Sequence, residues 1–446
     1  MSKLRPRGAK VNNASKTSTG AVSFMQIFDS VGSVIGAEGR RAALLIMLDA
    51  MHEDVSEFIT VKSDTNKITN ANLSVKANNS FMKLDTPRKK EIMKQIADYA
   101  WDNGEPALLY WDNIQDWHLL SNDDDYVIDG VNACTEFCTT AYGTCLLGSI
   151  NLSNFVLNPY TDNAQIDYER LEEVTKIVTI GMNEVLDEAI PTHPLEKQRE
   201  VAKNYRQIGN GIMGLGSAFV KLGIKYGSKE SIDITSDIMK VIRDNTILQS
   251  IELAKEYGSY PKYHYDKVKD APYFKSLPKH IQEGVEKFGV YNSTFISIAP
   301  AGSISLLADV TNGLEPYYAL SYNRTTKSLG ATDKVYKVFA KEVQELMEIE
   351  GIYNESDLPE YCITAHDINP RDRIDVQAEI QKYTDLAISS TVNLSEKITS
   401  EEIEDIYTYA HKQGLKGISV FRENCARTGI LQSDSKKEEP LLECTT

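Results

Sequence analysis

Long apolar runs, clustered histidines and abundant cysteines are all missing from this sequence of 446 residues. No stretch approaches the roughly 18 consecutive apolar residues that a membrane-spanning helix needs, so no transmembrane segment is expected. The opening is basic (Lys3, Arg5, Arg7) with no apolar segment behind it, which does not read as a secretory leader. Cysteines number six, at 134, 138, 145, 362, 425 and 444, too few for a disulfide scaffold in a chain this long. The expected setting is a cytoplasmic one with reduced thiols. Basic residues are in deficit, 48 against 64 acidic ones, for a formal charge of −16. So acidic a chain is a poor general binder of nucleic acid, although a local basic pocket for nucleotide phosphates remains compatible with it.

What is present is ordinary globular material. Hydrophobic residues make up 41% and charged residues 25%, enough to bury a large core. Short β-rich runs alternate with long amphipathic stretches. Strands are predicted at Ala43–Leu48, Asn72–Val75, Ala107–Tyr110, Tyr126–Ile128, Phe295–Ile298 and Gly417–Phe421. Helices are predicted near 88–101, 167–190, 197–222, 231–257, 333–350, 370–389 and 400–414. Two helix starts are well marked. Asn369 followed by Pro370 is an N-cap with proline at the first helical position. Thr399 with Glu402 three residues later is a capping box. Strands separated by helices predict an α/β fold with a largely parallel sheet or barrel. There is no internal repeat and no Gly/Ser or Pro-rich linker. We expect one domain over 1–430 and a polar tail over 431–446.

Three of the six cysteines fall between 134 and 145. Cys134 and Glu136 are two residues apart. On an extended segment their side chains would share one side, a pairing suited to a sulfur-centred reactant beside a general base. Asn132 would share that face and could hold a substrate hydroxyl. Cys145 could pair with another thiol only if the fold brings the sulfurs together. Two bland readings compete. One is inert buried thiols. The other is zinc, for which the spacing is poor and no histidine lies close, so no metal site is expected.

The segment Asn132-Ala133-Cys134-Thr135-Glu136, followed by Tyr142, Cys145 and Leu147-Gly148-Ser149-Ile150-Asn151-Leu152, resembles the radical-cysteine loop of ribonucleotide reductases. Similarity to that family runs along nearly the whole chain, through Leu4–Gly8, Thr17–Met25, Gly39–Ala43, Glu105–Asp112 and Gly313–Pro316. The resemblance implies a ten-stranded α/β barrel of the ribonucleotide reductase and glycyl-radical type, here incomplete, with a central finger loop. It implies that Cys134 carries a thiyl radical that abstracts the ribose 3′ hydrogen. Glu136 would be the base at the 3′ hydroxyl and Asn132 would hold the ribose. Cys145 would be one of two thiols oxidised per turnover. Ala133 and Thr135 stand where the family often has proline and glycine. Cys138 is an additional thiol without an assigned role.

Residues 299–305 form a small-residue loop after a predicted strand, a candidate nest for an anion, although a tight structural turn would look the same. The family places a substrate-phosphate loop here, which carries that role to Pro300, Ala301, Gly302, Ser303 and Ile304. By the same likeness Arg5, Arg7, Lys10, Lys62 and Lys67 would lie near a regulatory site for a nucleoside triphosphate effector (dNTP or ATP) at a homodimer interface. Solvated charge is the plainer reading of those five.

The segment Leu415–Arg422 is similar to the cobalamin-dependent branch (class II). It has no adjacent tyrosine pair of the kind that relays a radical from a separate subunit, so adenosylcobalamin is the implied cofactor. The family carries a region ahead of the Leu4–Gly8 stretch that includes the partner of Cys145. A complementary N-terminal chain is therefore expected, in a split enzyme. The family also tends to end in a Cys-x-x-Cys pair, whereas this tail has only Cys444. That points to an external thioredoxin- or glutaredoxin-type reductant. Two alternatives are a class I catalytic subunit fed by a ferritin-like partner, and a non-catalytic scaffold of the same fold.

Overall fold

The computed structural model describes residues 1–12, 14–36, 42–64, 66–326 and 334–426. The tail, Cys444 and Gly39–Arg41 lie outside the described residues.

The strands are β1 (Leu44–Asp49), β2 (Ala71–Ala77), β3 (Ala107–Tyr110), β4 (Leu147–Asn151), β5 (Gly209–Met213), β6 (Thr391–Leu394) and β7 (Gly417–Arg422). Hydrogen bonding orders the first sheet β1-β2-β3-β7-β6. The pairs β1–β2, β2–β3 and β6–β7 are parallel, and β3–β7 is antiparallel. A second ladder joins β4 and β5 in parallel. Two parallel bridges connect the ladders, Asn210 with Ile296 and Ile298 with Ile388. The wall thus runs β1, β2, β3, β7, the stave of residues 386–394, the stave of residues 295–298, β5 and β4. It is a curved α/β wall in two internally parallel halves that meet at β3–β7. Among the described residues, the outer edges of β1 and β4 have no strand partner.

Helices pack outside the wall because their apolar stripes have nowhere else to be buried. Helix Pro87–Asn103 opens on Thr86, whose hydroxyl accepts from Lys89 N, and closes on left-handed Gly104. It buries Ile92, Met93, Ile96, Ala97 and Ala100, one face at helical spacing. The Thr399–Glu402 capping box forms as expected on helix Ser400–Lys412, and the Asn369–Pro370 start holds on helix Pro370–Tyr383.

Several expected elements differ. Tyr126 and Ile128 are buried and Val127 is exposed, the alternation of a strand, yet the segment forms no strand. Phe295–Ile298 enters the wall through single bridges rather than a regular ladder. The expected helix 197–222 is instead a helix (Glu196–Tyr205), β5 and a second helix (Leu215–Leu222). Its break has a steric cause. A Cβ on Gly209 would lie 2.6 Å from Ser297 Cβ, and one on Gly211 would lie 2.3 Å from Ser297 O. Glycine there lets β5 approach the neighbouring stave, which outweighs local helical periodicity. Residues 334–339 form a strand paired with Ser321–Thr326, and the helix starts only at Lys341. The helix predicted over 370–389 stops at Tyr383, because residues 386–389 are needed in the wall.

Candidate active site

The finger is a hairpin. Gly130–Val131 pairs antiparallel with Cys138–Thr139. Its tip is closed by Thr135 N donating to Asn132 O (3.0 Å) and Asn132 N donating to Phe137 O (3.0 Å). The tip is therefore a tight turn and not the extended segment expected from Cys134–Glu136 spacing. Thr135 sits at φ 69°, the left-handed region, in which a β-branched residue is strained. Thr135→Gly is expected to stabilise the fold by about 1 kcal/mol, the relief of strain exceeding the glycine entropy cost. Chemical denaturation measures this, and an unchanged or lower midpoint would refute it.

The turn separates the reactive pair by exposure. Cys134 stands exposed at the tip, whereas Glu136 is 2% exposed. The Asn132 amide spans the turn. Its Nδ2 donates to Glu136 Oε1 at 2.7 Å and its Oδ1 accepts from Phe137 N at 3.0 Å. Asn132 thus holds the carboxylate directly. The second oxygen, Glu136 Oε2, is buried with no hydrogen-bond partner. Leaving such an acceptor unpaired is costly unless something arrives to pair with it.

Burial is the main cause raising the Glu136 carboxyl above the ordinary glutamate range, with the Asn132 bond opposing it. Burial also raises the Cys134 thiol, and the Glu136 charge adds to this. Cys145 is pushed up to about 12 by burial, then by Glu136 and Cys134. Both sulfurs are open to solvent, yet protein surrounds them closely enough to desolvate their thiolates. Both are protonated thiols near neutral pH, the form from which a hydrogen atom rather than a proton is exchanged. The three groups share one electrostatic neighbourhood. Cys138 is separate: it is buried and its thiol is pushed up to about 11, mainly by desolvation. It is an inert packing thiol.

Two groups distant in sequence seat the finger. Ser297 Oγ and Ala387 N both donate to Glu136 O, each at 2.9 Å. No local pattern marks either residue. Beside the finger lies a cavity of about 370 Å³, lined by residues that include Asp129, Asn132, Thr139, Tyr142 and Cys145. Thr139 Oγ1 donates to Gln207 Oε1, and Gln207 Nε2 donates to Tyr126 OH. This chain also escaped the sequence reading.

The candidate phosphate loop leads from the stave that carries Ser297. Helix Gly302–Ala308 begins within it. Ala301 is buried with its N–H on Asn312 Oδ1, while Pro300, Gly302, Ser303 and Ile304 are exposed. The five candidate effector residues do not form one cluster of free charge. Arg7 makes a two-point ion pair with Glu57. Lys62 Nζ donates to Ala71 O and to the buried Glu105 carboxylate, both at 2.5 Å. Lys67 pairs with Asp64 at 3.3 Å. Arg5 and Lys10 are exposed. Among the described residues no group of His, Cys, Asp and Glu could hold a metal ion, and no helix is long and apolar enough to cross a membrane.

A cysteine-tipped hairpin seated on an α/β wall defines a class of barrel protein. The sequence profile described as ribonucleotide reductase, barrel domain, matches residues 1–89 and 85–421. The chain belongs to the ribonucleotide reductase family. It is 32% identical to a vitamin B12-dependent ribonucleoside-diphosphate reductase of Thermoplasma acidophilum, over 98% of this chain and 59% of that one. It is 29% identical to a protein of the same description from Mycobacterium tuberculosis, over 99% of this chain and 65% of the relative. The chain thus spans about three-fifths of the length of these relatives. In fold it is similar to a class Id ribonucleotide reductase alpha subunit of Actinobacillus ureae, with a TM-score of 0.75, 22% identity, and coverage of 95% of this chain and 77% of that one.

Proposed function

We propose that this chain is the finger-bearing part of a ribonucleotide reductase that converts ribonucleoside di- or triphosphates to deoxyribonucleotides. The unpartnered, buried Oε2 of Glu136 beside an exposed Cys134 is the observation that carries this reading. A substrate hydroxyl would supply the missing hydrogen bond. Cys134, as a thiyl radical, takes the 3′ hydrogen atom and returns it later. Glu136 takes the 3′ hydroxyl proton and later returns it, and the 2′ hydroxyl takes a proton from the thiol pair of Cys145 and leaves as water. Cys145 and a second thiol supply two electrons and close a disulfide, which a thioredoxin- or glutaredoxin-type dithiol reopens by exchange. The loop 300–304 would hold the substrate phosphate on the exposed first amides of its helix.

Adenosylcobalamin fits as the radical source. Cys134 stands open at the finger tip, where it would meet a large group, and β7 carries Val420 and Phe421 where a tyrosine relay would need phenols. When bound, the cofactor supplies the radical through homolysis of its Co–C bond. The B12-dependent names of the relatives favour the same assignment.

The edges of β1 and β4 that have no strand partner among the described residues flank the finger. A Cβ on Gly130 would come within 3.3 Å of Met47 of β1, and Cys145 runs directly into β4. A complementary segment adding strands there would close the wall and bring the second thiol into the cavity beside Cys145. Turnover assays test both points. Deoxyribonucleotide formation by the purified chain with a dithiol should require adenosylcobalamin and a complementary polypeptide. Activity without the cofactor would sink the class II assignment, and family-like rates from the chain alone would sink the two-part assembly.

A homodimer is also part of this reading, with a dNTP or ATP effector site near Arg5 and Lys10. Helix Ala21–Val34 exposes Phe24, Ile27, Phe28, Val31 and Val34 at three- and four-residue spacing, an apolar stripe that a second copy would cover. Phe28→Asp is expected to shift the sedimentation profile to monomer at micromolar concentration. A variant profile identical to that of the parent dimer would refute the interface.

A further inference from the structure

Behind the finger tip lie two buried ionisable residues, Lys416 and Asp385, that the proposed reaction does not use. Lys416 is 1% exposed and Asp385 is fully buried. Lys416 Nζ donates to Trp117 O at 2.7 Å and to the backbone carbonyl of Asp385. The Asp385 carboxylate accepts from Phe295 N at 2.9 Å and Ile296 N at 2.7 Å. His118, Cys138 and Tyr273 also feel this pair. His118 is pushed down to about 3 by burial and by Lys416, so it stays neutral. Cys138 and Tyr273 stay protonated for the same reason of burial.

Buried ionisable groups are poor evidence for stability, because apolar replacements of similar volume often do as well. Their placement here offers another reason for them. The staves 295–298 and 386–389 meet through a single bridge rather than a ladder. Asp385 supplies by side chain the acceptors that a ladder would have supplied to Phe295 and Ile296. Lys416 ties the same residue to the segment that ends at Trp117. Leu386 N to Ile296 O (3.1 Å), Ile298 N to Ala387 O (3.1 Å) and Ser389 N to Ile298 O (2.8 Å) complete the seam. Ser297 Oγ and Ala387 N, the two donors that grip Glu136 O, sit on either side of that seam.

We propose that Asp385 and Lys416 are positioning residues that hold these two staves in register and so set where the Glu136 carboxylate stands relative to Cys134. The proposal rests on reading Cys134 and Glu136 as the reactive pair. Its test needs no turnover, so a failure of the reductase reading would be seen separately.

The test is the pH profile of Cys134 alkylation by iodoacetamide, resolved by mass spectrometry, in the full chain. Asp385→Asn and Lys416→Met should let Glu136 withdraw from Cys134. The thiol midpoint would then fall, and alkylation at pH 8 would become about two- to fivefold faster, the gain in thiolate being partly offset by its lower nucleophilicity. Ser297→Ala removes one donor while sparing Asp385 and Lys416, and should shift the midpoint in the same direction by a smaller amount. Ile92→Val, a core change far from the finger, controls for general loosening and should lower Tm without moving the midpoint. An unchanged profile in Ser297→Ala, or in folded Asp385→Asn and Lys416→Met, overturns the proposal. So does an equal shift in Ile92→Val.

Discussion

Cys134→Ala is expected to abolish ribonucleotide reduction, by at least about 10³-fold, while leaving stability almost unchanged. The size of the loss follows from the absence of a substitute. Cys138 is four residues away, but it is buried at the base of the finger with its thiol pushed up to about 11. In the proposed cycle Cys145 would serve the reductive half and could not also abstract the hydrogen atom. Stability is spared because Cys134 is exposed at the tip and the turn is closed by backbone bonds on Asn132, Thr135 and Phe137. Surface substitutions of this kind fall within about 0.5 kcal/mol. Assay of deoxyribonucleotide product in the complete, cofactor-loaded enzyme, beside a thermal melt, decides the matter. Turnover within tenfold of the parent would remove Cys134 from the mechanism and favour a non-catalytic scaffold.

Glu136→Gln should lower turnover by roughly 10²- to 10⁴-fold, the range for loss of a positioned general base. Glutamine keeps the shape and can still accept from Asn132, so binding of substrate should change less than kcat. The same variant has a stability signature whose sign can be worked out. Burial raises the folded-state pKa of Glu136 above its unfolded value of about 4.3. Below that value the carboxyl is protonated in both states and contributes no difference. As pH rises through the raised folded pKa, the native state must ionise a desolvated carboxylate while the unfolded chain ionises freely, so the parent loses stability. Glutamine avoids this cost. The variant should therefore gain stability relative to the parent as pH rises from 4 to 8, measured by denaturant midpoints. A constant difference across that range would show that Glu136 is not held in a desolvated site.

The parts of this protein legible in sequence are those set by near neighbours. Helix Ser400–Lys412 begins at Thr399 because its cap and its Glu402 lie within one turn of each other. Strand Ala107–Tyr110 is a short apolar run bounded on both sides, and it forms as expected. The elements that differ were decided by contacts between distant segments. Residues 209–213 carry helical periodicity on both flanks, yet Gly209 and Gly211 are required where Ser297 crowds them. Residues 386–389 continue a helical pattern, yet the wall needs a stave there.

The candidate site divides in the same way. The residue types and spacing of Asn132, Cys134, Glu136 and Cys145 are a property of the sequence alone, and they point to sulfur chemistry beside a carboxylate. Spacing on an imagined extended segment placed the pair side by side. The folded tip instead exposes Cys134 and buries Glu136, since Thr135 turns the chain through a left-handed conformation. Only the tertiary structure decided what grips Glu136, because Ser297 and Ala387 come from staves far along the chain. Only it placed Asp385 and Lys416 behind them. Local sequence fixes which groups can react, whereas burial and the register of distant staves set their protonation and their reach.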